Sequence, residues 1–226
     1  MRPTPLDHMR EYDRSIRECA ECGLTYAPGN PDDQREHRRR HRRLSLRWRS
    51  APGEQIAGVD GDLRVLVVNC ASKAWLRRRA DGIGRRANLE MHYDFGVYDG
   101  DAVNEFREHA FIGIAADQVA SFVVVDCRTS FMRVPWEQIH RNPVGDTWRM
   151  YTHGRAFERR RGWTVSFVWT PQAIRRAGFA RRTIAIVAKT LQLPVADLAW
   201  HDPFTDAGRD FVRSLSPETV LIGWSD

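Results

Sequence analysis

The chain has 226 residues, 42% of them hydrophobic, a net charge of +6 and a sequence pI near 9.5. That length holds one medium domain with a small appendage, and that apolar content supports a packed core. The composition excludes a membrane span, because no apolar run approaches the roughly 18–20 residues required, and four cysteines do not suggest a disulfide framework. The opening MRPTPLDHMREY lacks the apolar centre of a signal peptide, so the sequence reads as that of a reduced, intracellular (cytoplasmic) protein. The positive charge favours anionic partners and leaves association with a nucleoid or nucleus open. Lys73 and Lys189 are the only lysines, so the charge is carried by arginine.

Residues 1–17 read as a loose polar tail. Residues 18–49 follow with Cys19 and Cys22, then His37 and His41, in the spacing C-x2-C-x14-H-x3-H. Two cysteines on a tight knuckle and two histidines one helical turn apart can close a tetrahedron around zinc. Asp32, Asp33 and Glu36 fall in the first turn of the histidine-bearing helix, where the helix dipole favours acids. The gap between the pairs is longer than the twelve or so residues usual in DNA-reading fingers. Arg38, Arg39, Arg40, Arg42, Arg43, Arg47 and Arg49 make the region basic. Non-specific contact with nucleic acid is open to such a surface, and so is a plain solvated face; base readout is disfavoured by the scarcity of Asn and Gln.

Residues 50–60 read as a linker, centred on Ser50-Ala51-Pro52-Gly53-Glu54, and residues 61–226 as the main domain. Leu63 to Cys70 is expected to be a strand. Ser72 is expected to cap a helix reaching about Arg86, with Gly82 and Gly84 weakening its end. Met91 to Tyr98 offers a short strand. Phe111–Ala115 and Ala120–Cys127 form a hairpin about Ala116-Asp117-Gln118. Residues 128–162 carry no clear period and read as an irregular lid or insertion. Cys70 and Cys127 read as packing thiols, and His92, His109, His140 and His153 receive no role.

The stretch from Thr164 to Leu215 is the most informative. Val165 to Trp169 is β-branched and aromatic, as in a buried strand. A helix follows from about Phe179 to Leu191, and Val195 to Trp200 reads as a second strand, giving a βαβ unit with parallel neighbours. The loop between them, Arg175-Arg176-Ala177-Gly178-Phe179-Ala180, fits R-x-x-G-x-G/A. A helix start offers unpaired N–H groups and partial positive charge, and glycine lets an anion approach the backbone. Such a loop suits a pyrophosphate; an ordinary turn with solvated arginines fits the bare pattern too. Glu218 to Trp224 reads as a last strand.

In this context the loop resembles motif A of the GNAT acetyltransferases, which holds the pyrophosphate of acetyl-CoA. The chain most resembles the sister-chromatid cohesion acetyltransferases. Val165-Ser166-Phe167-Val168-Trp169-Thr170 is similar to their I-S-R-I-W-V strand. Asp202-Pro203-Phe204-Thr205-Asp206-Ala207-Gly208-Arg209-Asp210-Phe211 is similar to their D-P-T-x-D-G-x-x-F segment, with one residue inserted. Gly23, Leu24, Tyr26, Asp32 and Asp33 meet the pattern of their finger. The resemblance implies an α+β fold: a GNAT-like mixed central sheet flanked by helices, preceded by a small ββα-type zinc finger.

It also implies acetyl transfer from acetyl-CoA to an amine, protein lysine first among acceptors. Asp202 would then be the candidate base and Ser166 the residue orienting the amine. Val168, Trp169, Arg175, Arg176, Ala177, Gly178, Phe179, Ala180 and Arg181 would contact the cosubstrate. Backbone N–H groups near Val168 and Trp169 would steady the oxyanion. Three departures stand out. Phe211 occupies the place of the tyrosine acid of many GNAT enzymes, Pro171 to Gly178 is one residue longer than usual, and Phe167 replaces an arginine. Two other readings stay open: a nucleic-acid-binding zinc protein with an inactive acetyltransferase-like domain, and an acetyltransferase for small amines.

Overall fold

In the computed structural model, residues 16–19, 22–92, 108–142, 147–150 and 158–224 are described. The sequence-expected strand from Met91 to Tyr98 lies largely outside them, as does His153. Met91 itself ends a helix.

A small ββα unit comes first. Strands β1 (Arg17–Glu18) and β2 (Thr25–Tyr26) pair antiparallel and lead into helix α1 (Pro31–Leu44). The Asn30 side chain accepts from Asp32 N at 2.9 Å and so caps the helix; Pro31 follows at a position where its missing N–H costs nothing. Asp33 accepts from Ala27 N at 2.9 Å, fixing the entry of the chain.

The main domain is a seven-stranded mixed sheet in the order β11-β10-β9-β6-β5-β4-β3. Its strands are β3 (Gln55–Asp60), β4 (Leu63–Val68), β5 (Glu108–Ala115), β6 (Gln118–Pro135), β9 (Glu158–Trp169), β10 (Ala199–Trp200) and β11 (Thr219–Trp224). The sequence reading placed Gln55–Asp60 within a linker; they form the edge strand β3, antiparallel to β4. The β5–β6 hairpin turns on Ala116 and Asp117, both at positive φ (47° and 56°), the backbone that a two-residue hairpin needs to match sheet twist.

The described parts of residues 128–162 are more regular than expected. β6 runs on to Pro135, and beyond Arg128 its partners are the start of β9 and then β11. The cause is burial: Phe131 packs on Ala199 and Leu221, and Val134 is in the main core. A minor hairpin of β7 (Ile139–Arg141) and β8 (Trp148–Met150) joins the two long strands.

Three helices complete the domain: α2 (Ala74–Met91), α3 (Phe179–Thr190) and α4 (Asp206–Leu215). Alternate residues of the sheet face opposite sides. Val65, Phe111, Val123 and Val165 pack with Ile184 and Val187 of α3 and Val212 of α4. Leu66, Ile112, Phe122, Phe167 and Trp169 pack with Leu76, Ala80 and Ile83 of α2.

Helix α2 extends past Arg86 to Met91, because Gly82, Ile83, Gly84 and Ala87 are all buried. Tertiary packing there outweighs a propensity cost of about 1 kcal/mol per glycine. Its N-cap is Lys73, not Ser72, whose hydroxyl accepts from Asn69 N at 3.1 Å instead. The second strand of the βαβ unit is shorter than expected: Val195–Asp197 form a 3-10 turn after Pro194, leaving only Ala199 and Trp200 in the sheet.

The finger is docked on this domain. A Cβ on Gly23, which has φ of 64°, would lie 3.2 Å from Leu89 of α2. The segment after α1 is stitched to the hairpin turn by Trp48 N to Asp117 O and Val119 N to Leu46 O, both 2.8 Å. Trp48 is buried, donates from Nε1 to Glu54 at 2.9 Å, and lies under the Arg79 guanidinium.

Candidate active site and metal centre

Parallel strands β9 and β10 share only two register pairs, Thr164 with Ala199 and Val165 with Trp200. The last link is His201 N to Val165 O at 2.9 Å, after which β10 ends while β9 continues to Trp169 on the β6 side. Ser166 sits where the β6–β9 register shifts by one residue: Val125 faces Val165 and Val124 faces Phe167. An extra residue of this kind is a β-bulge, which re-aims side chains and backbone groups. The two strands therefore part at Ser166.

A cavity of about 410 Å³ occupies the gap, within the range of small-molecule sites. It is walled by Val165 to Val168 of β9, by Trp200 and His201, and by Phe211 and Val212 of α4. The ring of Phe211 meets that of Trp200 edge-on at 6.2 Å. The Ser166 hydroxyl donates to Val124 O at 3.3 Å, leaving its lone pairs for another donor. Asp202 stands beside the cavity rather than in its wall, and Trp224 Nε1 donates to its Oδ1 at 3.0 Å.

His201 is the residue that sequence reasoning missed. Burial, then the charge of Arg128, hold its imidazole below the ordinary range, while Asp202 and Asp126 pull the other way. The only sequence signal was its place beside the Asp-Pro pair at the end of an expected strand.

The glycine loop lies at the carboxyl end of β9. Gly178, with φ of 84°, is the N-cap of α3, and no side chain caps the helix there. A Cβ at Gly178 would meet nothing within 4 Å, so its φ rather than crowding accounts for the glycine. Arg176 also has positive φ, 67°, and is exposed. The first turn of α3 carries no acid, so its unpaired N–H groups keep their positive character. Arg175 is exposed but engaged, bonding Thr170 O at 3.2 Å and Glu90 at 3.0 Å, and Arg181 bonds Ser214. Phe179 packs on the core, and Ala177 and Ala180 flank the loop. Of the expected cosubstrate residues Val168 lines the cavity; the Trp169 side chain instead lies in the α2-side core.

The other expected site comes together in the finger. Ligand atoms of Cys19, Cys22, His37 and His41 all lie within 4.8 Å of one another. Cys19 Sγ is 3.3 Å from His41 Nε2, which is 3.0 Å from His37 Nε2. A Cys₂His₂ donor set at tetrahedral-edge separations fits zinc, at usual bond lengths of about 2.0–2.3 Å. Tyr26 stacks on the His37 ring at 3.9 Å between centroids, fixing its orientation. Burial pushes the Cys22 thiol up, so metal binding here must displace protons. Several finger arginines are already engaged: Arg35 with Asp32, Arg39 with Glu36, and Arg40 with Cys22 O.

Residues 11–43 match the family described as the zinc-finger of acetyl-transferase ESCO. No curated protein matches the chain. Among solved structures, the xEco2 acetyltransferase domain superposes with a TM-score of 0.60 at 14% identity, covering 78% of this chain and 99% of that one. The two share a fold. The same xEco2 domain bound to a K105-CoA conjugate gives a TM-score of 0.60 at 15% identity, covering 76% and 98%. The resemblance read from the sequence thus holds at two places: residues 11–43 match the ESCO finger model, and the main domain shares the fold of the xEco2 acetyltransferase domain. No helix among the described residues is long and apolar enough to cross a membrane.

Proposed function

We propose that this protein is an acetyl-CoA-dependent N-acetyltransferase acting on an amine, with protein lysine as the acceptor. The observation that carries the reading is the cavity where β9 and β10 part, together with the uncapped helix start behind Gly178 that follows β9 in the chain. A cleft outside the carboxyl ends of parallel strands is where ligands of α/β sheets bind. The α3 start suits the pyrophosphate, with Arg176 free to approach it. The apolar walls suit the pantetheine arm and exclude water from the thioester.

Acetyl-CoA supplies an activated acyl group, so the protein must position an amine, take a proton and steady an oxyanion. The bulge at Ser166 would re-aim β9 backbone N–H groups, which suits oxyanion stabilisation near Val168. Ser166 would accept a hydrogen bond from the amine. The proton would go to the His201–Asp202 turn, where the sequence reading put Asp202. The K105-CoA conjugate bound by the xEco2 domain supports a lysine acceptor. Zinc would hold the finger together as a structural site. Arg42, Arg47 and Arg49, exposed and outside the ion pairs described above, would carry any phosphate contact, which would be sequence-blind and salt-sensitive.

Calorimetry with CoA and thiol release with acetyl-CoA test the reading. Binding together with amine-dependent thiol release is expected; a folded, zinc-loaded sample that does neither overturns it.

A further inference from the structure

We propose that the imidazole of His201 is the direct proton acceptor from the attacking amine, and that Asp202 acts on the imidazole rather than on the amine. The inference rests on the acetyl-transfer reading above and assigns an atom-level role within it.

The placement carries the argument. His201 is in the wall of the cavity and Asp202 is not. The His201 backbone is held by Val165 O at 2.9 Å, one residue before the bulge at Ser166. A group at that point stands at the mouth of the gap between the strands, opposite the serine. Asp202 meanwhile accepts from Trp224 Nε1 at 3.0 Å. The remaining question is whether the imidazole is free of a proton when the amine arrives. Burial first, and then Arg128, favour its neutral form, against Asp202 and Asp126. Those charges come from β6 and from its own turn; the cavity residues supplied by β9 and α4 carry none. A neutral imidazole presents a lone pair, and Asp202 steadies the imidazolium once it forms.

The step balances as follows. The ammonium gives one proton to His201. The neutral amine nitrogen then forms the C–N bond as the thioester carbonyl electrons move to oxygen. Collapse breaks the C–S bond, and sulfur leaves with the electron pair. The nitrogen passes its second proton to the thiolate, giving amide and free thiol, and His201 returns its proton to solvent.

The test is kcat against pH, measured by thiol release with acetyl-CoA and a pool of single-lysine peptides. The native protein should show an acid limb with its midpoint below the ordinary imidazole value of about 6.5. His201→Gln and His201→Asn should lose that limb and about 10²–10⁴ in kcat, with CoA affinity by calorimetry unchanged. Arg128→Gln should move the limb up in pH and Asp202→Asn should move it down. The His201 imidazole resonance of the native protein, followed by NMR, should titrate with the kinetic limb whether or not the variants fold. Native turnover and an intact limb in His201→Gln, or a resonance that does not follow the limb, overturns the proposal while leaving acetyl transfer standing. A native protein that binds CoA and releases no thiol with these peptides overturns the lysine reading, and this role with it. A native protein without CoA binding overturns acetyl transfer altogether.

Discussion

Ser166 and Asp202 differ in what their loss would remove. Ser166→Ala deletes one hydrogen-bond partner of a bound amine and leaves every proton acceptor in place, so a modest fall in kcat is expected, of the order of about 1 kcal/mol in the barrier. Asp202→Asn keeps shape and removes the charge beside His201; a larger fall, about 10² in kcat, is expected with CoA affinity unchanged. Thiol release at saturating acetyl-CoA ranks the two, and an Asp202→Asn protein that no longer binds CoA would make Asp202 a structural turn residue tied to Trp224. The zinc ligands were legible one by one, because a four-residue spacing encodes a tetrahedron directly. Ser166 was legible only through resemblance; its bulge depends on register with β6, which no local pattern records. His201 was invisible for the same reason: what favours its neutral form is the burial that the tertiary fold imposes and then Arg128, far away in sequence.

The βαβ unit is where sequence and structure agree best. Val165 to Trp169 and the apolar stripe Ile184, Val187 and Ala188 are strong local signals, and Gly178 marks a left-handed position at the start of the helix. Gly178→Asp should therefore abolish CoA binding, since it puts a carboxylate at the anion-binding helix start and strains a φ of 84°. Calorimetry on a variant with native circular dichroism checks this; unchanged affinity would place the phosphates elsewhere. The long arms of β6 and β9 were illegible because arginines and Gly162 interrupt their alternation, while Phe131 and Val134 find burial against partners such as Ala199 and Leu221 and the main core, far along the chain. β3 was hidden because its large apolar residues Ile56 and Val59 are exposed, at 57% and 64%, while only the small Ala57 and Gly58 meet the core. The finger gives a second forecast at this scale. One zinc per chain is expected on elemental analysis, and Cys22→Ser or chelation should lower the melting temperature. A chelated sample with unchanged melting would remove the metal from the account.

For the whole molecule, two half-buried histidines make its stability sensitive to protons. His109 and His201 are both held below the ordinary imidazole range, burial being the largest cause in each. In the unfolded chain both titrate near 6.5. Below that pH the unfolded chain binds more protons, so the stability these two contribute is present above about 6.5 and is lost as pH falls through their folded values. Thermal melts from pH 7.5 to 5 should show a falling midpoint. His109→Phe, which keeps an aromatic ring against Trp163, should flatten that fall; an identical slope in the variant would put the proton sensitivity elsewhere. The bonds from Trp48 and Leu46 to the β5–β6 turn also impose an order in time. As the chain leaves the ribosome, the finger and all four of its metal ligands emerge before the strands that will receive them. Asp117 follows Trp48 by about 70 residues, a delay of roughly 4–14 s at synthesis rates of about 5–20 residues per second. Throughout that interval the finger must stand by itself, with metal in place of a neighbour, so zinc supply during synthesis would govern how much of the protein reaches its docked form.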